Sequence, residues 1–135
     1  MQSFSSVCLL ALLAVSASAT TNFDFSGLMK CQSRGIWCFT VRGLEIDTFS
    51  DDIIAEYTKC SSAPTSLEHP VEYAMTGVQE GDGILDSTFE VAIQVTHNCT
   101  ANEQTITTDY IEVPIKEMAF SLGKNFDLNA NAVMP

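Results

Sequence analysis

The cysteines are the residues of this chain with the clearest chemical potential. None of them forms a C-x-x-C pair, and the two histidines, His69 and His97, do not complete a zinc site of ordinary spacing. We therefore predict neither a metal centre nor a cofactor. In an oxidising compartment an even set of cysteines forms disulfides instead, so cellular location decides their role. The encoded cysteines are Cys8, Cys31, Cys38, Cys60 and Cys99.

A second group of candidates lies between His97 and Thr100. Asn98, Cys99 and Thr100 match the N-x-S/T acceptor rule, which predicts N-glycosylation of Asn98 in a secreted protein. A histidine with an ordinary pKa near ~6.5 can act as a general base or a ligand, so a hydrolase using His97 is one hypothesis. No G-x-S-x-G or H-E-x-x-H motif accompanies it, which favours a structural or surface histidine.

Acidic residues dominate the charge of the chain. It has 17 Asp and Glu against 6 Lys and Arg, a net charge of −11. Such a field repels phosphate backbones and anionic lipid, so we exclude nucleic acid as a partner. Glu80, Asp82 and Asp86 could be read as calcium ligands, but their spacing does not match a D-x-D-x-D-G loop. A solvated acidic surface is the simpler interpretation.

Residues 1–19 have the pattern of a cleaved secretory signal peptide. The apolar run from Val7 to Val15 is followed by small residues that satisfy an A-x-A-like rule, ending at Ala17 or Ala19. This run is about half of the ~20 residues that span a bilayer, so no transmembrane segment is predicted. We expect a secreted protein with one domain over residues 20–135. Cleavage would remove Cys8 and leave four cysteines, for which three disulfide connectivities are open.

Hydrophobic alternation predicts an all-β protein. Thr88 to His97 places Phe89, Val91, Ile93 and Val95 on one face, and Ile36 to Leu44 does the same with Trp37, Phe39 and Val41. Several strands at this spacing suggest an antiparallel sandwich. Shorter strands are predicted at Leu28 to Gln32, Val71 to Met75, Gln104 to Val113 and Met118 to Leu128.

Two further stretches are less regular. Ser50 to Tyr57 has both early acids and aliphatic residues, so it fits either a short helix or an edge strand. Ser61 to Pro70 is predicted to be an exposed loop, because Pro64 and Pro70 cannot donate to a β-ladder.

These landmarks, taken in order, resemble the nematode transthyretin-like family of secreted proteins. The segment GLMKC at Gly27 to Cys31 resembles the family's opening strand, and EIDTFSDDIIAE at Glu45 to Glu56 resembles its acidic loop. FEVAIQVTHNC at Phe89 to Cys99 is similar to an alternating strand that ends on His-x-Cys. IEVP at Ile111 to Pro114 and the Phe-Asp-aliphatic step from Phe126 to Leu128 complete the resemblance.

The resemblance implies a transthyretin-like antiparallel β-sandwich of about seven strands, with one short helix at most. It also implies that Cys31 pairs with Cys99, which leaves Cys38 to pair with Cys60. The enzyme branch of this fold carries a C-terminal Tyr-Arg-Gly-Ser signature, which is absent here.

The expected function is therefore non-catalytic binding outside the cell. The partner would be an extracellular protein, a lipid-bearing surface or a hydrophobic small molecule. The alternatives are the hydrolase using His97 and a carrier that holds an apolar molecule inside the sandwich.

Overall fold

The computed structural model describes residues 20–81, 87–100 and 102–135, which fold as β-strands joined by loops. The strands are β1 (Thr20–Lys30), β2 (Cys38–Glu45), β3 (Asp52–Cys60), β4 (Val71–Glu80), β5 (Thr88–His97), β6 (Gln104–Thr107), β7 (Ile111–Pro114), β8 (Ala119–Gly123), β9 (Phe126–Asp127) and β10 (Ala132–Val133). Within these ranges there is no helix of the length and apolarity that crossing a membrane requires. The expected signal peptide lies outside the described residues.

The strands form two five-stranded sheets. In the first sheet the order is β10-β9-β1-β4, and β8 also pairs with β1. In the second the order is β3-β2-β5-β6, and β7 also pairs with β5. The two sheets share one hydrophobic core, so the arrangement is sandwich-like.

Aromatic side chains fill the space between the sheets. Phe23 of β1 meets Phe89 of β5 edge to face, with ring centroids 5.6 Å apart. Trp37, just before β2, packs against Phe39 at 5.7 Å. All four rings are buried. The Phe23–Phe89 contact joins the two sheets, and the Trp37–Phe39 contact lies within the second sheet. Aromatic pairs of this kind add to the free energy of burial.

The two clearest alternating patterns are confirmed as strands. Phe89, Val91, Ile93 and Val95 of β5 all point into the core, and so do Phe39 and Val41 of β2. The all-β prediction is therefore correct, and period-two alternation was its physical basis.

The ambiguous segment from Ser50 to Tyr57 contributes to the edge strand β3. A register shift occurs where Gly43 pairs with Ala55 and Leu44 pairs with Ile53, so Ile54 is an extra residue on β3. Such a β-bulge turns two consecutive side chains, Ile54 and Ala55, toward the core. This break in alternation is why the pattern resembled a helical turn, and the possible short helix is not formed.

The strand number and directions differ from the expected seven-stranded antiparallel sandwich. The run from Gln104 to Val113 becomes two strands, because Thr108 turns toward β5 and its hydroxyl accepts the Ile93 N–H at 3.0 Å. The run from Met118 to Leu128 likewise contributes both β8 and β9, which are parallel to β1. The chain that follows β7 reaches the start of β1, where the Thr21 hydroxyl donates to the Glu117 carbonyl at 2.7 Å and the Asn22 N–H to the Met118 carbonyl at 3.0 Å. It therefore enters the first sheet in the direction of β1.

A glycine in β1 permits a buried hydrogen bond. The Tyr73 hydroxyl donates to the Lys124 carbonyl at 2.9 Å, and burial raises the pKa of Tyr73 to about 12, so the donor stays protonated. A Cβ atom on Gly27 would overlap that carbonyl oxygen and lie 2.9 Å from Cε1 of Tyr73.

We expect Gly27→Ala to lower the free energy of unfolding by about 1–3 kcal/mol, as overpacking of a buried site does. Urea unfolding followed by circular dichroism measures the change. Gly35→Ala is the matched control, since nothing lies within 4 Å of a Cβ atom built there. Equal midpoints for the two variants would contradict the steric argument.

Candidate functional site

The four described cysteines form two disulfides at one end of the molecule, called here the disulfide end. Cys31 is joined to Cys99 with a Cα separation of 6.0 Å. Cys38 of β2 is joined to Cys60 of β3, its direct cross-strand neighbour, with Cα atoms 3.9 Å apart. The structure thus brings together the same pairs that the family resemblance implies.

These disulfides close chain segments of different length. The sequence separations are 68 and 22 residues, so the chain-entropy model assigns them about 4 and 3 kcal/mol of stabilisation. The predicted loop from Ser61 to Pro70 is fastened beside them. Trp37 donates its indole N–H to the Thr65 hydroxyl at 2.8 Å, and that hydroxyl donates to the Cys31 carbonyl. The disulfide end is therefore held together by two covalent bonds and by the hydrogen bonds of Thr65.

His97 is a buried side chain at the disulfide end. It is 2% exposed, and its Nε2 atom lies 3.3 Å from Oδ1 of Asn131. The amide oxygen only accepts, so Nε2 carries the proton, and Nδ1 has no hydrogen-bond partner among the described residues. Burial lowers the pKa of His97, and the Asn131 bond opposes that shift. This environment suits a neutral structural histidine.

Asn98 is exposed and sits beside the Cys38–Cys60 disulfide. Its Oδ1 accepts the Cys38 N–H at 2.7 Å, and its own N–H donates to the Cys38 carbonyl at 3.2 Å. A glycan attaches through Nδ2, so the Oδ1 bond and a glycan are chemically compatible. Glycosylation of Asn98 stays a prediction.

The opposite end of the molecule carries an exposed apolar and acidic surface, which we call the acidic end. It comprises the β2–β3 loop (residues 46–51) and the strand termini around it. Gln79 of β4 donates to Oε2 of Glu45 there, which links the two sheets. At the loop, Phe49 is 99% exposed. Other exposed apolar side chains at this end are Ile53, Val78 and Met118.

Carboxylates surround this loop. Ligand oxygens of Glu45, Asp47 and Asp52 all lie within 4.8 Å of one another, and these are the side chains that could hold a hard divalent cation. Glu45 is 3% exposed, whereas Asp47 and Asp52 are open to water. The Asp51 side chain accepts the Asp47 N–H at 3.3 Å, which turns the loop back on itself.

The acidic loop of the family resemblance, Glu45 to Glu56, contains these carboxylates, whereas the calcium interpretation of the sequence used different acids. Glu80 is exposed at the end of β4, while Asp82 and Asp86 lie outside the described residues. No sequence motif indicates a functional role for Phe49. The available signal was a lone aromatic residue within DTFSDD, between two strand patterns.

Together the fold and its ends define a class of protein: an acidic, disulfide-linked, two-sheet β-protein. Its family follows from comparison with known sequences. The chain belongs to the family described as Caenorhabditis elegans protein of unknown function (DUF870), whose model matches residues 26–133.

A protein of the same nematode is similar to this chain. The chain is 36% identical over 102 residues to an uncharacterized Caenorhabditis elegans protein, B0416.7, and the match covers 75% of this chain and 74% of the relative. No solved structure matches the chain significantly.

The burial of His97 generates a pH prediction. Because the folded-state pKa lies below the ordinary value near ~6.5, the unfolded chain binds more protons once the pH falls below that value. The His97 contribution to stability is complete above the unfolded-state pKa and is lost progressively as the pH falls toward the folded-state pKa. We expect His97→Gln to show a shallower loss of unfolding free energy than wild type between about pH 7 and pH 5. Urea titrations at each pH measure the slopes, and identical slopes would contradict a buried neutral imidazole.

The geometry of Asn98 separates glycan loss from hydrogen-bond loss. We expect secretion from a eukaryotic host to yield a glycosidase-sensitive mass that disappears in both Asn98→Gln and Thr100→Ala. Thr100→Ala keeps the bond to Cys38, whereas the longer glutamine does not. Neither variant carries the glycan, and Thr100→Ala gives up only an exposed 3.3 Å bond to the Asn102 carbonyl. Asn98→Gln should therefore be about 1 kcal/mol less stable than Thr100→Ala. A wild-type protein of unmodified mass would contradict the first expectation.

Proposed function

We propose that this chain is a secreted, non-catalytic protein that binds a macromolecular partner outside the cell and has a transthyretin-like sandwich. Two disulfides and an acidic composition suit an extracellular location. The two-sheet architecture and the in-order sequence landmarks support the transthyretin-like assignment.

The single observation that carries binding is the exposure of Phe49. A phenylalanine held fully in water forgoes about 1.5–3 kcal/mol that burial would supply. The hydrogen bond from the Asp47 N–H to the Asp51 side chain limits the freedom of the loop, so less entropy is lost when the ring is covered. Aromatic residues, phenylalanine included, are enriched in protein–protein interfaces relative to the rest of the surface.

The two alternative functions receive less support. A hydrolase would need His97 within reach of a substrate, but its ring is buried beside Asn131. A carrier of an apolar molecule would need room between the sheets, and aromatic rings such as Phe23, Phe89 and Phe126 occupy the described core.

Affinity capture from extracellular fluid and cell surfaces tests the proposal. We expect the wild-type protein to retain a defined partner and Phe49→Ser to lose at least about tenfold of the captured amount. Ile36→Ser is the matched control, because Ile36 is 69% exposed but precedes β2 at the disulfide end. Equal capture by wild type and Phe49→Ser would refute binding through this loop. Thermal unfolding of each variant checks that the fold is retained.

A further inference from the structure

Charge is distributed unevenly between the two ends of the molecule. Of the basic residues, Lys30, Arg34, Lys59 and Lys124 lie in the half nearer the disulfides, and Arg42 is paired with Glu56 in the middle of a sheet. Lys116, between β7 and β8, is the basic residue in the loops of the acidic end. Acids at that end are Glu45, Asp47, Asp51, Asp52, Glu80, Glu90, Glu112 and Glu117.

Two pairs of like charges face each other across strands at the acidic end. Glu45 of β2 is the register partner of Asp52 of β3, and Glu90 of β5 is the partner of Glu112 of β7. Directly opposed like charges destabilise a sheet. The same sheet places Arg42 opposite Glu56 three rungs away, so it accommodates complementary pairs elsewhere. The acidic end thus combines repulsion between carboxylates with an aromatic ring exposed to water.

A positively charged partner surface would relieve both costs at once. Opposite charges on the partner would offset the repulsion, and an apolar pocket would take the Phe49 ring out of water. A lone cation would neutralise charge but leave the ring exposed. An anionic lipid surface would be repelled by this field.

We infer that the acidic end is a docking surface for a protein with a basic surface, and that Phe49 enters an apolar pocket bordered by Lys or Arg side chains of that partner. This inference rests on the proposed binding function and names the chemistry of its partner. At long range, the opposite charges of the two surfaces steer the proteins toward each other, which increases the association rate and is screened by salt.

A peptide library supplies a defined probe. Random peptides of about ten residues displayed on phage are selected against the intact secreted protein, with both disulfides formed. We expect the enriched sequences to carry net positive charge and at least one large apolar residue. Enrichment of neutral or acidic sequences, or no enrichment above an uncoated support, would overturn the inference.

One enriched peptide is then synthesised and its affinity measured by fluorescence anisotropy. We expect at least about tenfold weaker binding to Phe49→Ser and to the double variant Asp51→Asn, Asp52→Asn, with Ile36→Ser unchanged. Asparagine at position 51 still offers an oxygen to the Asp47 N–H, so the loop turn is retained. Raising the salt from about 0.05 to 0.5 M should weaken wild-type binding several-fold. Salt-independent binding would contradict charge complementarity.

Two further outcomes separate this inference from the proposed function. If capture from extracellular fluid depends on Phe49 while the captured protein has no basic surface, binding stands and the partner chemistry is wrong. Sedimentation velocity tests the remaining occupant, a second copy docked head to tail with the disulfide end. Self-association that Phe49→Ser abolishes would replace the basic partner with this chain itself.

Discussion

The close approach of β3 and β4 is the constraint on which the rest of the structure depends. These are the outermost strands of the two sheets on one side, and their backbones meet where Gly77 faces the Ile54 carbonyl. A Cβ atom at Gly77 would overlap that oxygen, so only glycine allows this separation. The contact closes one side of the core and brings Gln79 within hydrogen-bond distance of Glu45. The loop that bears Phe49 connects Glu45 to Asp52 at the same end of these strands.

Local alternation was sufficient to predict the strands that are regular on both sides. Along most of β5, and over the first half of β2, buried residues alternate with partly exposed ones, so the pattern is visible in sequence. β3 was ambiguous because its bulge sends Ile54 and Ala55 to the same side. The parallel pairing of β8 and β9 with β1 depends on where the chain crosses between sheets, which no local pattern records.

The candidate site was predictable in its covalent chemistry and not in its surface. Counting the cysteines outside the predicted signal peptide indicated two disulfides, and a family resemblance was needed to choose their partners. Whether a side chain is buried depends on the tertiary fold, so His97 could be assigned a structural role only as an expectation. In the sequence alone, Phe49 cannot be distinguished from a phenylalanine of the core. Only the placement of its loop beyond the ends of β2 and β3 distinguishes it.

The indole of Trp37, which donates a hydrogen bond to Thr65, makes the disulfide end observable by fluorescence spectroscopy. Trp37 is the one tryptophan of the chain, and its buried indole lies next in sequence to Cys38 of a disulfide. Disulfide sulfurs quench indole emission at short range, and water shifts that emission to longer wavelengths. Reduction of the Cys38–Cys60 disulfide therefore changes the emission intensity of Trp37, and release of the loop that contains Thr65 changes its emission wavelength. The acidic end has no tryptophan, so a change in tryptophan emission on adding a ligand indicates a perturbation at the disulfide end.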